Sequence, residues 1–206
     1  MKNFFDWYPR YFKGTSPSRP WLVVGKGPTF PKIRELDLDE YRILTLNHVV
    51  REMSRTAELA HMIDVDVLRG LEERQLWGAE YFVLPLHPHV AFTATAKDLG
   101  DFFAEYPKLK TLHEEERLLW YNLSTWKAEP GSPVVDVAYF SAEAAIRLLA
   151  LAGARVIRTV GVDGGTQYAG EFKDLTPFTG GHSSFDLQWE GIHRTVREFA
   201  VDFARI

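Results

Sequence analysis

A turn of sequence Gly-Lys-Gly-Pro-Thr (residues 25–29) follows a short apolar run and has the residue types of an anion site. Glycines let the backbone approach a ligand closely, and N–H groups at a helix start attract phosphate or carboxylate. The turn lacks the Gly-Lys-Ser/Thr of a P-loop, and Phe30 replaces the third glycine of the dinucleotide fingerprint. The turn therefore indicates either a phosphate site of another kind or a simple strand-to-helix connection.

Polar side chains also follow two further apolar runs. Asn47 and His48 come directly after one run, where an Asn can hydrogen-bond a base, ribose or phosphate, or cap a helix. Asp64 and Asp66 follow the next run with one residue between them. Two carboxylates at this spacing can hold a divalent metal on a nucleotide diphosphate, cap a helix, or accept hydrogen bonds from a sugar or base. These interpretations remain open at this point.

Two glycine-rich loops late in the sequence carry a tyrosine and a histidine. Tyr168 lies in the run GVDGGTQYAG, and His182 lies in the run GGHSS. A histidine can accept a proton near neutral pH because its unperturbed pKa is about 6.5. Asp186 or Glu190 could orient its ring. The alternative is an exposed loop histidine whose neighbouring serines cap the following helix.

Short apolar runs must position these residues. Each run is rich in strand-forming residues and suits a strand buried on both faces of a parallel sheet. The runs are residues 21–24, 41–46, 59–63, 81–84 and 156–160. Because helical patterns fill most of the gaps, the sequence predicts an α/β fold with a mostly parallel sheet. The polar residues that follow the strands then meet at the carboxyl edge of that sheet.

Two helices have clear apolar spacing. One is predicted over residues 140–152, ending at Gly153, and the other over residues 185–204. The apolar stripe of the second helix consists of Trp189, Ile192, Val196, Phe199 and Phe203. Residues 91–133 are the least regular, and we predict there a helical insertion, either an acceptor-side lid or a solvated helix and loop.

Composition and charge exclude several classes of protein. The chain has 206 residues, a formal net charge of −4 and no cysteine, which excludes disulfides and cysteine-ligated zinc. No basic run provides the footprint of a nucleic-acid binder, and no apolar stretch reaches the roughly 18 residues of a transmembrane segment. We expect a cytoplasmic protein with an N-terminal aromatic arm (residues 1–20) and a single nucleotide-binding domain (residues 21–206).

Taken in order, these motifs resemble those of the bacterial sialyltransferases of the Campylobacter type. The resemblance covers about residues 21–204 and rests on Gly25–Thr29, Asn47, Ser141, Gly161–Asp163, Tyr168–Ala169 and Gly181–Ser183. It implies a Rossmann-like three-layer sandwich that binds a nucleotide sugar. The residues expected to hold the nucleotide are Gly25, Lys26, Gly27, Pro28, Thr29, Asn47, Asp64, Ser141 and Asp163.

The resemblance also implies a reaction. A sialic acid or related keto-sugar acid would pass with inversion from a CMP-activated donor to a sugar hydroxyl of a glycan acceptor. His182 would deprotonate that hydroxyl as general base, while Tyr168 and the N–H groups of residues 27–29 would stabilise charge on the leaving phosphate. The family requires no metal, so we expect no metal site and no cofactor.

The sequence departs from the family pattern at several positions. Lys26 replaces an Asn that contacts the donor, Ala142 replaces a Gly, and the loop from Asp163 to Tyr168 is shorter, with one tyrosine. The sequence also ends without the basic, apolar extension through which family members associate with membranes, which suggests a module of a larger enzyme or a homo-oligomer.

Two alternatives accompany this interpretation. In the first, Asp64 and Asp66 hold Mg²⁺ or Mn²⁺ in a metal-dependent glycosyl- or pyrophosphoryl transferase. Archaeal pterin pyrophosphokinase-like proteins share the same general Gly-x-Gly-Pro domain, so the nucleotide-binding prediction is broader than the sugar prediction. In the second alternative, the chain is a nucleotide-sugar-binding module without catalysis, as the shortened tyrosine loop suggests.

Overall fold

A parallel sheet forms the centre of the computed structural model, which describes residues 1–13 and 19–206. The strands are β1 (Lys2–Asn3), β2 (Trp21–Val24), β3 (Arg42–Leu46), β4 (Ala57–His61), β5 (Ala79–Pro85), β6 (His89–Val90), β7 (Thr93–Ala94), β8 (Leu118–Leu123), β9 (Val134–Val135), β10 (Val156–Val160) and β11 (Asp202–Arg205). The α-helices are α1 (Phe4–Tyr11), α2 (Pro107–Glu114), α3 (Ser141–Leu151) and α4 (Gln188–Glu198).

The strand order in the described sheet is β1-β8-β5-β4-β3-β2-β10-β11, and β9 pairs with β8. Every pair in this sheet is parallel, whereas β6 and β7 form a separate antiparallel hairpin. All residues of β2, β3 and β4 are buried, as expected for strands covered on both faces. The predicted α/β sandwich with a mostly parallel central sheet is confirmed.

The two faces of the sheet carry different layers. Alternate residues of β2 enter different cores: Trp21 and Val23 pack with α1, α3 and α4, whereas Leu22 and Val24 pack with α2 and the short connections. Those connections are 3-10 helices, where the sequence suggested ordinary helices. They span Phe30–Glu35, Leu38–Glu40, Asn47–Glu52, Val65–Gly70 and Glu73–Gly78. Each buries only one or two apolar side chains or none, too few to define a longer amphipathic helix.

The predicted helix over residues 185–204 is wrong at both ends. Residues 185–187 form a 3-10 turn, α4 ends at Glu198, and the chain continues as β11 beside β10. The helix stops because Ala200 adopts a left-handed conformation with φ of 49°. Val201 then donates its N–H to Val196, and Phe203 lies on a strand.

Residues 91–133 contribute a strand to the sheet. The segment contains α2, but also β8, which lies between β1 and β5. The sequence did not predict β8 because Asn122 interrupts its apolar pattern. Asn122 is nevertheless buried, and its side chain hydrogen-bonds the backbones of Glu129 and Ser132. The predicted helical insertion over residues 91–133 did not include this strand.

The N-terminal aromatic arm packs against the sheet. Phe4, Trp7 and Tyr8 of α1 are buried in the same core as α3. Residues 14–18 of the predicted arm (residues 1–20) lie outside the described residues. None of the helices in the described ranges combines the length and apolar character needed to cross a bilayer.

Candidate active site

A cavity of about 630 Å³ lies at the carboxyl ends of β2, β3, β4 and β10. Four turns line it: Gly25–Gly27 after β2, Leu46–His48 after β3, Ile63–Asp64 after β4 and Gly161–Asp163 after β10. The N-terminal end of α3 and the loop containing Tyr168 complete the wall. This volume falls within the range of small-molecule sites, roughly 300–1,000 Å³.

The glycines of the first turn allow two strand ends to approach each other. A Cβ on Gly25 would lie 2.3 Å from the Gly161 carbonyl oxygen, and a Cβ on Gly27 would lie 2.5 Å from an Asp163 carboxylate oxygen. The Gly27 N–H donates to Gly161 (2.7 Å), and the Thr29 N–H donates to Asp163 (2.8 Å). The N–H groups predicted to bind phosphate are thus already used within the protein.

Asp163 joins the turns after β2 and β10. Its carboxylate accepts hydrogen bonds from the Thr29 N–H and hydroxyl, and Arg205 lies 3.4 Å away. Its backbone carbonyl accepts a 2.5 Å bond from the Gln188 amide. Asp163 and Gln188 line the cavity, whereas Pro28 and Thr29 do not. Of the predicted turn, residues 25–27 therefore face the cavity and Thr29 supports it.

Asn47 and His48 line the cavity at the end of β3. Asn47 adopts a left-handed backbone with φ of 54°, which an asparagine tolerates better than most residues. Within the described residues its side-chain amide makes no hydrogen bond, so the amide is available to a ligand. Burial first, and then the nearby charges of Lys26 and Arg51, lower the pKa of His48 to about 4. His48 is therefore neutral near pH 7.

Asp64 and Asp66 hold the β6–β7 hairpin. Asp64 accepts the N–H groups of Asp66 (2.9 Å) and Phe92 (2.6 Å). Asp66 accepts bonds from Ala91 (2.8 Å) and Tyr106 (2.5 Å) and pairs with Arg69. Burial raises the pKa of Asp64. In the described chain, no group of three or more histidines and acidic residues is placed to hold a metal ion. These contacts favour the capping interpretation.

Lys26 and Tyr168 form one wall of the cavity. The Lys26 ammonium lies 4.3 Å from the centre of the Tyr168 ring, a cation–π contact. The Tyr168 ring also stacks on Phe185, with centroids 5.9 Å apart. Burial is the main cause that lowers the pKa of Lys26 to about 8 and raises the pKa of Tyr168.

His182 lies at the rim of the cavity. Its side chain is exposed and outside the cavity lining, but its ring contacts Tyr139 (5.3 Å) and Phe140 (6.2 Å), which both line the cavity. It therefore lies on the same side of the sheet as the glycine turn. Neither Asp186 nor Glu190, the two carboxylates predicted to orient it, forms a hydrogen bond or ion pair with its ring in the described structure. Asp186 instead accepts bonds from Ser184 (2.6 Å) and Gly165 (3.3 Å).

Several lining residues lay outside the sequence predictions. His89 hydrogen-bonds Thr125, Gln188 holds the Asp163 carbonyl, and Phe92 stacks on Phe178. His89 follows β5 closely, so the rule that ligands bind at the carboxyl edge of a parallel sheet could have indicated it. The others depend on contacts between distant segments. Ser141, which was predicted, lines the cavity as the first residue of α3.

Comparison with known proteins gives a fold match. The chain aligns with the α-2,3-sialyltransferase Cst-I of Campylobacter jejuni at a TM-score of 0.54 and 12% identity, over 91% of this chain and 75% of that one. The chain shares the fold of this sialyltransferase. The C. jejuni sialyltransferase CstII, solved with the substrate analogue CMP-3FNeuAc, aligns at 0.50 and 11%, over 91% and 80% of the two chains. No family model and no curated protein sequence matches.

The sialyltransferase fold confirms the structural part of the resemblance seen in the motifs. At this level of identity the match establishes the fold alone. Assigning a reaction to the chain therefore depends on its own residues around the cavity.

Proposed function

We propose that the chain is a glycosyltransferase that moves a sialic acid or related keto-sugar acid from a CMP-activated donor to a sugar hydroxyl. One observation carries the proposal: five residues from four separate segments line a single cavity at the carboxyl edge of a sialyltransferase fold. They are Lys26, Asn47, Ser141, Asp163 and Tyr168. This set offers one cation, an amide and hydroxyl groups, which suits a nucleotide phosphate and its sugar.

The proposed reaction is a single displacement. The acceptor hydroxyl oxygen attacks the anomeric carbon of the donor sugar while the bond from that carbon to the phosphate oxygen breaks, and its electron pair leaves with CMP. His182 accepts the hydroxyl proton, a contribution of roughly 10²- to 10⁴-fold in rate. Its place at the rim, against Tyr139 and Phe140, suits contact with an acceptor entering from solvent.

The proposal includes no metal. The carboxylates of Asp64 and Asp66 accept backbone N–H groups from the hairpin, and Asp66 also pairs with Arg69. Hydrogen-bond donors of the cavity wall, the Tyr168 hydroxyl among them, would instead stabilise charge on the leaving phosphate. Transfer activity in the presence of EDTA should therefore equal activity with Mg²⁺.

The test is release of CMP from a CMP-sugar in the presence of a glycan acceptor. We expect His182→Ala to lower turnover by roughly 10²- to 10⁴-fold while the Kd for CMP stays unchanged. The matched control is His193→Ala, because His193 is exposed on α4 and outside the cavity lining. Unchanged turnover in His182→Ala would remove the general base from the proposal. Donor binding without transfer at any pH would instead favour a non-catalytic binding module.

A further inference from the structure

We propose that Lys26 is the phosphate-binding residue of this site, a side-chain cation in a turn whose N–H groups at Gly25, Gly27 and Thr29 are already bonded within the protein. This inference rests on the proposed function, since it assigns the residue that recognises the donor's phosphate. The Gly27 and Thr29 N–H groups are occupied by Gly161 and Asp163, and Pro28 has no N–H to offer. The lysine side chain is therefore the main donor that this turn offers to an anion.

The position of Lys26 is fixed on both sides. Its backbone carbonyl accepts the N–H of Ala169 (2.8 Å), which ties the turn to the loop carrying Tyr168. Its ammonium lies over the Tyr168 ring and lines the cavity. In the described residues no carboxylate lies within ion-pair distance of this ammonium. A half-buried cation held by an aromatic face and lacking a counter-ion is suited to an anionic ligand.

The charged neighbours leave this corner positive. Arg51 is also close to Lys26, but it forms a bidentate ion pair with Asp174 (2.5 and 2.8 Å) and donates to the Glu171 carbonyl. His48 is neutral because its pKa is about 4. The Asp163 carboxylate is bonded to Thr29 and faces Arg205. Among these groups, only Lys26 is a cation without a carboxylate partner in the described structure.

The reaction gives this cation a larger effect on the leaving group than on the donor. The donor phosphate is a diester with one negative charge, and CMP leaves with two as the sugar–phosphate bond breaks. A fixed cation therefore stabilises the departing CMP more than the bound donor, which is the condition for lowering the barrier.

The charge of Lys26 depends on pH in the range where binding can be measured. Burial first, and then the charge of Arg51, lower its pKa to about 8, while Asp174 opposes this change. Lysine is positively charged below its pKa, so attraction for phosphate is present below about pH 8 and is lost above it. A bound phosphate raises this pKa, so Lys26 stays charged to higher pH in the complex than in the free protein.

Calorimetric titration with CMP and with cytidine separates the phosphate contribution from that of the base and ribose. We expect Lys26→Met to weaken CMP binding about 10- to 100-fold while cytidine binding stays the same. Lys32→Met is the matched control, because Lys32 is exposed and the change in net charge is identical. Lys26→Arg should keep CMP affinity from about pH 7 to about pH 9.5, whereas the wild-type protein loses it over that range.

The outcomes distinguish this inference from the proposed function. Equal CMP affinity in the wild-type protein and Lys26→Met, with both proteins melting at similar temperatures, would overturn the role of Lys26 and leave the glycosyltransferase proposal intact. If Lys26→Met does not fold, identical pH profiles for the wild-type protein and Lys26→Arg would overturn the same role. Failure of the wild-type protein to bind CMP at any pH would overturn both proposals.

Discussion

Single residues at this site divide into those that face the cavity and those that hold its walls. The sequence indicated Asn47 and Tyr168 because they come after predicted strands, whereas Asp163 was expected from the resemblance; all three line the cavity. It could not show that Thr29 is bonded to Asp163, since 134 positions separate them. Strand ends are set by local apolar pattern, whereas hydrogen-bond partners are set by the packing of distant segments.

Glu143 supports the wall formed by residues 138–140. Its carboxylate is fully buried, accepts the N–H groups of Ala138 and Tyr139, and lies 3.3 Å from Arg194. A Cβ on Gly191 would lie 1.9 Å from a carboxylate oxygen of Glu143, so α4 presses closely on this group. Nothing in the helical pattern of α3 predicted a buried acid there.

We expect Glu143→Ala to lower the free energy of unfolding by about 2 kcal/mol, because it removes a buried carboxylate that accepts the N–H groups of Ala138 and Tyr139. Urea unfolding measures the change. Glu190→Ala is the control, since Glu190 is exposed on α4. A loss equal to that of the control would show that Glu143 does not fix the wall.

At the scale of elements, the sequence predicted strands better than connections. The run at residues 156–160 is a strand with those same bounds, and the predicted helix over residues 140–152 matches α3 within one residue at each end. The strand β8 was missed because it carries a buried Asn, and the end of α4 was missed because it turns at an alanine. Both features contradict local propensity and are stabilised by tertiary contacts.

Two loops meet over the mouth of the cavity through an aromatic pair. Phe92, in the turn of the β6–β7 hairpin, stacks on Phe178 with centroids 3.6 Å apart and rings 15° from parallel. Both side chains are exposed large apolar groups that line the cavity. The Phe92 N–H is held by Asp64, so the hairpin is anchored and Phe178 is the partner from the other loop.

We expect Phe92→Ala and Phe178→Ala each to lower kcat/KM for the acceptor by about 2- to 12-fold, from the roughly 0.5–1.5 kcal/mol of a stacked pair. The double variant should match either single variant, because each single substitution already removes the whole stacking contact. Trp77→Ala is the control, as Trp77 is exposed and lies outside the cavity lining. Fully additive effects would show that the two rings act independently.

At the scale of the whole molecule, the buried histidines make the free energy of unfolding depend on pH. His61 on β4 is fully buried, its Nε2 lies 2.9 Å from the Tyr121 hydroxyl, and its Nδ1 has no partner among the described residues. Burial lowers its pKa from 6.5 to about 3. The folded chain therefore keeps His61 neutral, whereas the unfolded chain protonates it below about pH 6.5.

The sign of the pH effect follows from that difference. The unfolded state binds more protons, so stability is complete above about pH 6.5 and falls as pH decreases towards 3, by about 1.4 kcal/mol per pH unit for one histidine. His48 adds to the loss down to about pH 4. We expect His61→Gln to flatten the curve of unfolding free energy against pH. Curves that run parallel in His61→Gln and the exposed control His193→Gln would contradict this assignment.

The order of the strands explains why the cavity lies beside β2. From β2 the chain proceeds to β3 on one side of it, while β10, reached through α3 on the opposite face, pairs with its other side. Connections that depart over opposite faces leave a crevice at this topological switch point. The crevice is a product of chain path and needs no particular side chains to open it. Side chains within it can therefore differ while the place of the crevice stays constant.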